Sequence, residues 1–228
     1  MSLADFQQAT QDLVRDKDQV LTLGNIDAAI TAAVQRYSHD APRALLVDQV
    51  AVAGSVQALP AGWLVDSSVL SGVEYPVDEM PQRNLSTAEF ALRQTPSGPM
   101  LQLAFDVTAG ETLRIGYTAD HVVDAGTDTV PVKHRHAVAC LAAANLCGQL
   151  AAYYATEGMP AIGADITDHV GKTERLRARK RDLEAEYTRA LGVPEKPVSA
   201  PAGVVVQMDV GDTQGSGRLF HRRRYPST

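Results

Sequence analysis

The sequence contains little cysteine: only Cys140 and Cys147 among 228 residues. They stand seven residues apart in one apolar stretch, so on a helix they share a face and do not reach each other for a disulfide. We expect both to be small, buried core side chains. Cysteine usage therefore gives no sign of an oxidising compartment.

Targeting signals are also lacking. The N-terminal residues MSLADF have neither a basic start nor an apolar run, so we expect no secretion signal. Residues 134–155 come closest to the ~20 apolar residues of a membrane span. Asn145, Gln149 and two histidines within this stretch favour a buried helix of a soluble protein instead. We expect no membrane partner.

Motifs of common enzymes are absent from the sequence. No Gly-x-Ser-x-Gly elbow of a serine hydrolase occurs. The glycines at positions 211, 215 and 217 lack the preceding strand, the following helix and the Lys-Ser/Thr pair of a phosphate-binding loop. We therefore expect no catalytic residues and no cofactor.

Two groups of residues have side chains of the types that bind metals. His134 and His136, with His121 as a distant third, are better explained as a surface pair at a helix start. Asp165, Asp168 and His169 stand near a helix start, where capping of the helix by Asp168 is the better explanation. We expect no metal site.

The composition is that of a globular protein, with 45% hydrophobic and 21% charged residues. A chain of this length can bury a substantial core in one large domain, or in a domain with an insertion. The net charge of -6 argues against binding of polyanions through bulk charge.

Two contrasting helices are predicted in the second half of the chain. Residues 134–156 are almost all small and apolar, so this helix must be buried on every side. Residues 168–191 are highly charged and carry one apolar stripe that suits packing on the first helix. The stripe consists of Val170, Leu176, Leu183, Tyr187 and Leu191.

The charged face of the second helix is predicted to be solvated or to face another subunit. Its charges are of mixed sign, and pairs such as Arg175/Arg179 and Lys180/Glu184 stand four residues apart. The candidate inter-subunit residues are Arg175, Arg179, Glu184 and Glu186.

The first half of the chain predicts two helices followed by strands. Ser2 suits the cap of a helix over residues 2–15, and Asn25 suits the cap of a second one that ends before Pro42. Alternating patterns then predict strands at residues 44–52, 68–75, 90–94, 100–105 and 113–118. We expect an α+β fold, mainly an α-helical bundle over residues 1–192, with a small antiparallel β insert at about residues 43–120.

Residues 193–228 are predicted to form an extended C-terminal tail after a proline-containing linker. Residues 204–210 form a strand that either folds back on its own sheet or pairs with the edge of another subunit. The basic, aromatic end either contacts DNA phosphates or docks in a protein groove, and its large apolar side chains favour docking. The candidate docking residues are Val204, Val205, Val206, Met208, Val210, Arg218, Leu219, Phe220, Arg222, Arg223, Arg224 and Tyr225.

This order of elements resembles the head–tail connector (adaptor) proteins of tailed bacteriophages. The resemblance covers most of residues 1–191 and consists of patterns of residue type. The segments are NIDAAI at 25–30, YSHDAP at 37–42, VEYPV at 73–77, LRIGYTA at 113–119, TVP at 129–131, AVA at 137–139, LCGQLAAYY at 146–154 and KTERLRARKRDLEAEY at 172–187.

The resemblance implies a structural role in the virion neck and no catalysis. It implies a homo-oligomeric ring, usually a dodecamer, assembled in the host cytoplasm beneath the portal protein. The ring would join the portal to the next neck or tail protein, and double-stranded DNA would pass through its lumen without sequence recognition. The alternatives are another neck or tail-completion protein, a nucleic-acid-binding regulator that uses the basic helix and tail, and an enzyme.

Overall fold

The computed structural model describes residues 2–156 and 169–192, except the side chains of His169 and Val170. Within these residues, two helices, six strands and two further helices follow one another, so the predicted α+β class is confirmed. The elements are α1 (Leu3–Val14), α2 (Leu23–Asp40), β1 (Arg43–Val50), β2 (Gly54–Gln57), β3 (Leu70–Glu74), β4 (Phe90–Thr95), β5 (Gly98–Val107), β6 (Thr112–Ala119), a 3-10 turn (Val132–His134), α3 (Arg135–Thr156) and α4 (His169–Leu191).

Helix α3 is the centre of the helical part. It contacts α1, α2 and α4, and thirteen of its 22 residues are buried, most of them alanine, leucine or cysteine. By length and composition α3 could cross a membrane, but 72% of its most apolar part is buried inside the protein. That burial is typical of a core helix. The predicted buried helix and the predicted burial of both cysteines are therefore confirmed.

Helices α1 and α2 begin at side-chain caps. Ser2 and Asp5 form a reciprocal capping box at the start of α1, as Ser2 predicted. The predicted Asn25 cap of α2 is wrong, because the helix begins two residues earlier. The hydroxyl of Thr22 accepts from the backbone N–H of Asn25, which places Asn25 in the first turn.

The β insert contains two antiparallel three-stranded sheets, where the sequence predicted one small sheet. Their strand orders are β1-β6-β3 and β2-β5-β4. The two sheets share one apolar core, in which Val73 and Ile115 of the first sheet join Leu101 and Leu103 of the second. All four side chains are at most 2% exposed.

Strand β2 was not predicted, because it has no alternating apolar pattern. Its buried side chain is Gln57, whose amide bonds the backbone of Val52 and Gly54. The predicted β4–β5 hairpin is confirmed, with a tighter turn than expected. Thr95 and Gly98 are already paired, so Pro96 and Ser97 alone form the loop.

A polar junction ties the β insert to the helices. The backbone N–H of His121 donates to Ser38 Oγ (2.8 Å), and the two ring nitrogens of His121 lie 2.9 and 3.1 Å from the backbone oxygens of Thr129 and Ala41. The Tyr37 hydroxyl is hydrogen-bonded to His134 Nδ1 at 2.6 Å. The end of α2, the chain after β6 and the start of α3 therefore meet at one place.

The small side chains of α3 should be intolerant of enlargement. Ala143 is fully buried beside Leu183 of α4, so Ala143→Leu would force neighbouring side chains apart. We expect it to lower the free energy of unfolding by about 1–3 kcal/mol. Ala152→Leu, on the exposed side of the same helix, is the matched control and should change it by less than about 0.5 kcal/mol. Urea denaturation measures both; equal values for the two variants would contradict the predicted packing constraint.

Candidate functional site

Helix α4 covers α3 with its apolar stripe, as predicted. Leu183 and Tyr187 are 1% and 3% exposed, and Leu176 and Leu191 are partly buried against the same core. The stem of Lys180 lies on Gly148 of α3, 3.5 Å from where a Cβ would stand. The opposite side of α4 therefore faces outward and is available to a partner.

Both ends of α4 are fixed by polar contacts to other parts of the chain. The Tyr187 hydroxyl donates to Asp40 Oδ2 at 2.8 Å, and Arg36 donates to the same oxygen. At the other end, Lys172 pairs with Asp18 in the loop after α1, and its ammonium lies 3.7 Å from the centre of the Tyr154 ring. These contacts hold the outward face of α4 in one orientation.

The pKa of Asp40 is set by opposing effects. Burial alone raises it, but the hydrogen bonds from Arg36, Tyr187 and His39 outweigh burial and lower the pKa below its ordinary value of 3.8. The Asp40 side chain is only 12% exposed, so these contacts are poorly screened by water. The ionised carboxylate therefore stabilises the α2–α4 contact at neutral pH.

The four candidate inter-subunit residues divide into two pairs. Arg175 and Arg179 are exposed and form no ion pair with any residue that the structure describes. Glu184 lies 3.6 Å from Lys180 of its own helix, and Glu186 lies 3.0 Å from His136 of α3. The arginines are therefore the better candidates for contact with another molecule, because both glutamates already have partners in the chain.

Three side chains with metal-binding atoms meet where α3 begins and α4 approaches its end. His136 Nε2 lies 3.0 Å from Glu186 Oε1 and 3.4 Å from Cys140 Sγ. Burial, with the nearby Glu186 carboxylate, raises the pKa of Cys140 to about 12, so the thiol is protonated at neutral pH. His134 and His121 do not join His136 here, because they bond to other residues at the polar junction.

This cluster was not predicted, although the spacing of two of its members is visible in the sequence. His136 and Cys140 are four residues apart and therefore share a helix face. Glu186, fifty residues after His136, joins the cluster only because of the way α4 is placed along α3. Helix periodicity alone does not predict that placement.

The β insert has an acidic surface organised by one arginine. Arg114 of β6 forms a two-pronged contact with Asp48 of β1, at 2.7 and 2.9 Å, and also contacts Glu74 and Asp78 at 3.3 and 3.2 Å. The contact with Asp48 is the largest of the effects that raise the pKa of Arg114. One guanidinium thus joins β1, β3 and β6 at the surface, among more carboxylates than it can neutralise.

Strand β1 offers an open edge. It is an eight-residue strand that pairs with β6, and no other strand in the described part of the chain pairs with it. Leu46 and Val50 on this strand are 76% and 66% exposed. Free backbone groups beside exposed apolar side chains are what an added strand requires.

Several segments that carry the phage-connector resemblance are adjacent in the fold. Val73 of the VEYPV segment pairs with Ile115 of the LRIGYTA segment across β3 and β6. The YSHDAP and TVP segments meet at the polar junction around His121. The twelve predicted docking residues, from Val204 to Tyr225, lie outside the described residues.

Comparison of the chain with protein-family models gives no match, and a search of curated proteins gives none either.

The Asp40 contacts predict a pH-dependent contribution to stability. Asp40→Asn should lower the free energy of unfolding at pH 7 by about 1.5–3 kcal/mol, the contribution of hydrogen bonds to a charged group. Because the folded-state pKa is depressed, this contribution is present above the ordinary pKa of 3.8 and is lost as the pH falls through the folded value. The difference between wild type and variant should therefore shrink below about pH 4.

The control is Asp66→Asn, which removes an exposed carboxylate. It should change stability by less than about 0.5 kcal/mol at neutral pH. Urea denaturation between pH 2 and 7 gives the comparison. If the difference in unfolding free energy between wild type and Asp40→Asn stays constant down to the lowest pH, the charge of Asp40 is not the source of its stabilising effect.

Proposed function

We propose that this chain is a head–tail connector of a tailed bacteriophage, a structural protein that forms a ring beneath the portal and leaves a channel for DNA. On this proposal the fold is mainly a helical bundle with a β insert and an extended C-terminal tail. The observation that carries the proposal is the separation of charge between the β insert and helix α4, on a chain whose segments resemble such connectors.

The two charged regions have opposite sign. Residues 43–120 carry nine acidic and four basic side chains, whereas residues 169–191 carry four acidic and seven basic ones. On α4, Arg175 and Arg179 are exposed and have no ion-pair partner among the described residues. On the β insert, Asp48 and Asp78 are 49% and 80% exposed even in contact with Arg114.

Opposite charges on different parts of one chain favour head-to-tail association. A contact between the acidic insert of one copy and α4 of the next uses two different surfaces, so the first copy keeps a free α4 and the second keeps a free insert. Such heterologous contacts form rings when the rotation closes. The number of twelve copies comes from the resemblance alone.

The tail supplies the contact with the portal or with a neighbouring copy on this proposal. The segment of residues 204–210 has strong strand preference and nearly the length of β1, whose edge is open. Tails repeated around a ring gain avidity although each single contact is weak. The basic residues near the C-terminus, with Phe220 and Tyr225, would anchor the end of the tail.

A nucleic-acid-binding regulator is the second candidate, and the same exposed arginines of α4 favour it. The two functions differ in their response to salt. A regulator that neutralises phosphates with α4 and the tail would bind DNA with an affinity that falls linearly with log salt concentration. A connector would bind DNA weakly and portal rings well.

Charge reversal on α4 should prevent ring assembly. In Arg175→Glu/Arg179→Glu, acidic side chains would face the acidic β insert of the next copy. We expect the variant to remain folded and to fail to form rings on portal particles, as counted by electron microscopy and sedimentation. The control is Arg83→Glu/Arg93→Glu, which changes net charge equally but lies on the β insert, and it should assemble like wild type.

Rings of normal number with the α4 variant would overturn the proposed contact. Loss of assembly in both variants would show that net charge, rather than the α4 surface, controls association. Tight, salt-dependent DNA binding that the α4 variant abolishes would favour the regulator instead.

Removal of the tail should separate folding from docking. A chain that ends at Gly192 retains every element that the structure describes, so we expect the same circular dichroism and unfolding midpoint as the full chain. We expect it not to co-sediment with portal particles. Portal binding at full strength by the shortened chain would rule out the tail as the docking element.

Two full-length variants assign the docking to one part of the tail. Val204→Ser/Val206→Ser/Val210→Ser weakens the strand, and Arg222→Ser/Arg223→Ser/Arg224→Ser removes the basic anchor. If the strand provides the contact, the first variant should lose portal binding and the second should keep most of it.

A further inference from the structure

The cluster of His136, Cys140 and Glu186 has the composition of a transition-metal site. An imidazole nitrogen, a thiol sulfur and a carboxylate oxygen are the three donor types that Zn²⁺ takes in proteins. The three donor atoms all lie within 4.8 Å of one another, and no other such group of three or more occurs in the described part of the chain. We propose that these side chains bind one zinc ion, which clamps helix α3 to helix α4.

The distances between the donor atoms suit a tetrahedral ion. Zinc bonds of about 2.0–2.3 Å place neighbouring donors of a tetrahedral site roughly 3.3–3.6 Å apart. His136 Nε2 lies 3.4 Å from Cys140 Sγ and 3.0 Å from Glu186 Oε1. Movements of a few tenths of an ångström therefore bring these two distances from His136 Nε2 to the values of a tetrahedral zinc site.

The positions of the three residues suit both rigidity and access. Cys140 is fully buried between the two helices, so the thiol is held in place by packing. The side chains of His136 and Glu186 are 65% and 45% exposed, so an ion can enter from solvent. Three protein ligands at a surface leave the fourth position to water, as in open zinc sites.

The charges balance when the ion binds. Zn²⁺ displaces the proton of the Cys140 thiol, which passes to solvent, and takes a thiolate, a carboxylate and a neutral imidazole as ligands. The zinc–sulfur bond replaces the sulfur–hydrogen bond, no oxidation occurs, and the filled site is neutral. Without metal, the His136 ring and the Glu186 carboxylate are in contact beside a buried thiol.

Cys147 provides an internal comparison. It is as fully buried as Cys140 and stands two turns further along the same helix. It belongs to no cluster of metal-binding side chains within residues 2–156 and 169–192. A property of buried cysteines in general would be shared by both residues, whereas metal binding should belong to Cys140 alone.

Cobalt is the probe, because Co²⁺ occupies tetrahedral zinc sites and a thiolate ligand gives it an intense charge-transfer absorption in the near ultraviolet. The full chain, without a histidine tag and freed of metal by a chelator, is titrated with Co²⁺ and then with Zn²⁺. We expect one Co²⁺ per chain with the thiolate band, and loss of the band when Zn²⁺ is added.

Single variants assign the ligands. Cys140→Ala should abolish the band, and Cys147→Ala should leave it unchanged. His136→Ala and Glu186→Gln should each weaken binding at least ~10–100-fold, the loss that even outer-shell changes cause. His39→Ala, which removes an imidazole that is 84% exposed, should leave affinity unchanged.

A thermal assay covers the case in which Cys140→Ala does not fold. His136→Ala changes an exposed side chain and should fold normally. Zn²⁺ should raise the unfolding temperature of wild type and of Cys147→Ala, but not of His136→Ala, since a ligand that binds only the folded state stabilises it. Absence of the thiolate band, or affinity and thermal shift unchanged in His136→Ala, would overturn the proposal.

Discussion

The arrangement of the helices depends on the burial of helix α3. Because α3 is apolar on nearly every side, no single neighbour can cover it, and α1, α2 and α4 each take part of its surface. Alanines at the contacts let these neighbours approach closely, as the fully buried Ala142, Ala143 and Ala144 do. Two covering helices precede α3 and one follows it, and the chain leaves the helical part between α2 and α3 to form the β insert.

The β insert occupies that excursion, and the polar junction closes it. The insert has its own apolar core between two sheets, separate from the core around α3. The backbone N–H of His121, just after the insert, donates to Ser38 of α2, and Tyr37 of α2 is hydrogen-bonded to His134 at the start of α3. Burial lowers the pKa of His134, so at this contact the neutral imidazole is favoured over the charged one. The insert is thus a second body fixed by a few directed contacts.

Local patterns predicted most elements, and distant contacts explain what they missed. Helix period and strand alternation depend on a few consecutive residues, so α3, α4 and the β4–β5 hairpin were predictable. Strand β2 was missed because its buried residue is the polar Gln57, which the backbone of Val52 satisfies. The His136–Glu186 contact was missed because it depends on how α4 is placed along α3. The cap at Thr22 was missed because Asn25, three residues later, is an equally good capping residue by type.

The distribution of charge decides which kind of assembly suits the chain. A two-fold contact brings the same surface of two copies together, so α4 on α4 would place Arg175 and Arg179 beside their own counterparts. The acidic insert on itself would meet the same repulsion, and Arg114 is already committed to its own carboxylates. A contact between the insert of one copy and α4 of another avoids both kinds of like-charge repulsion. On the proposed function, this heterologous contact repeats from copy to copy, and it forms a ring when the rotation between copies closes.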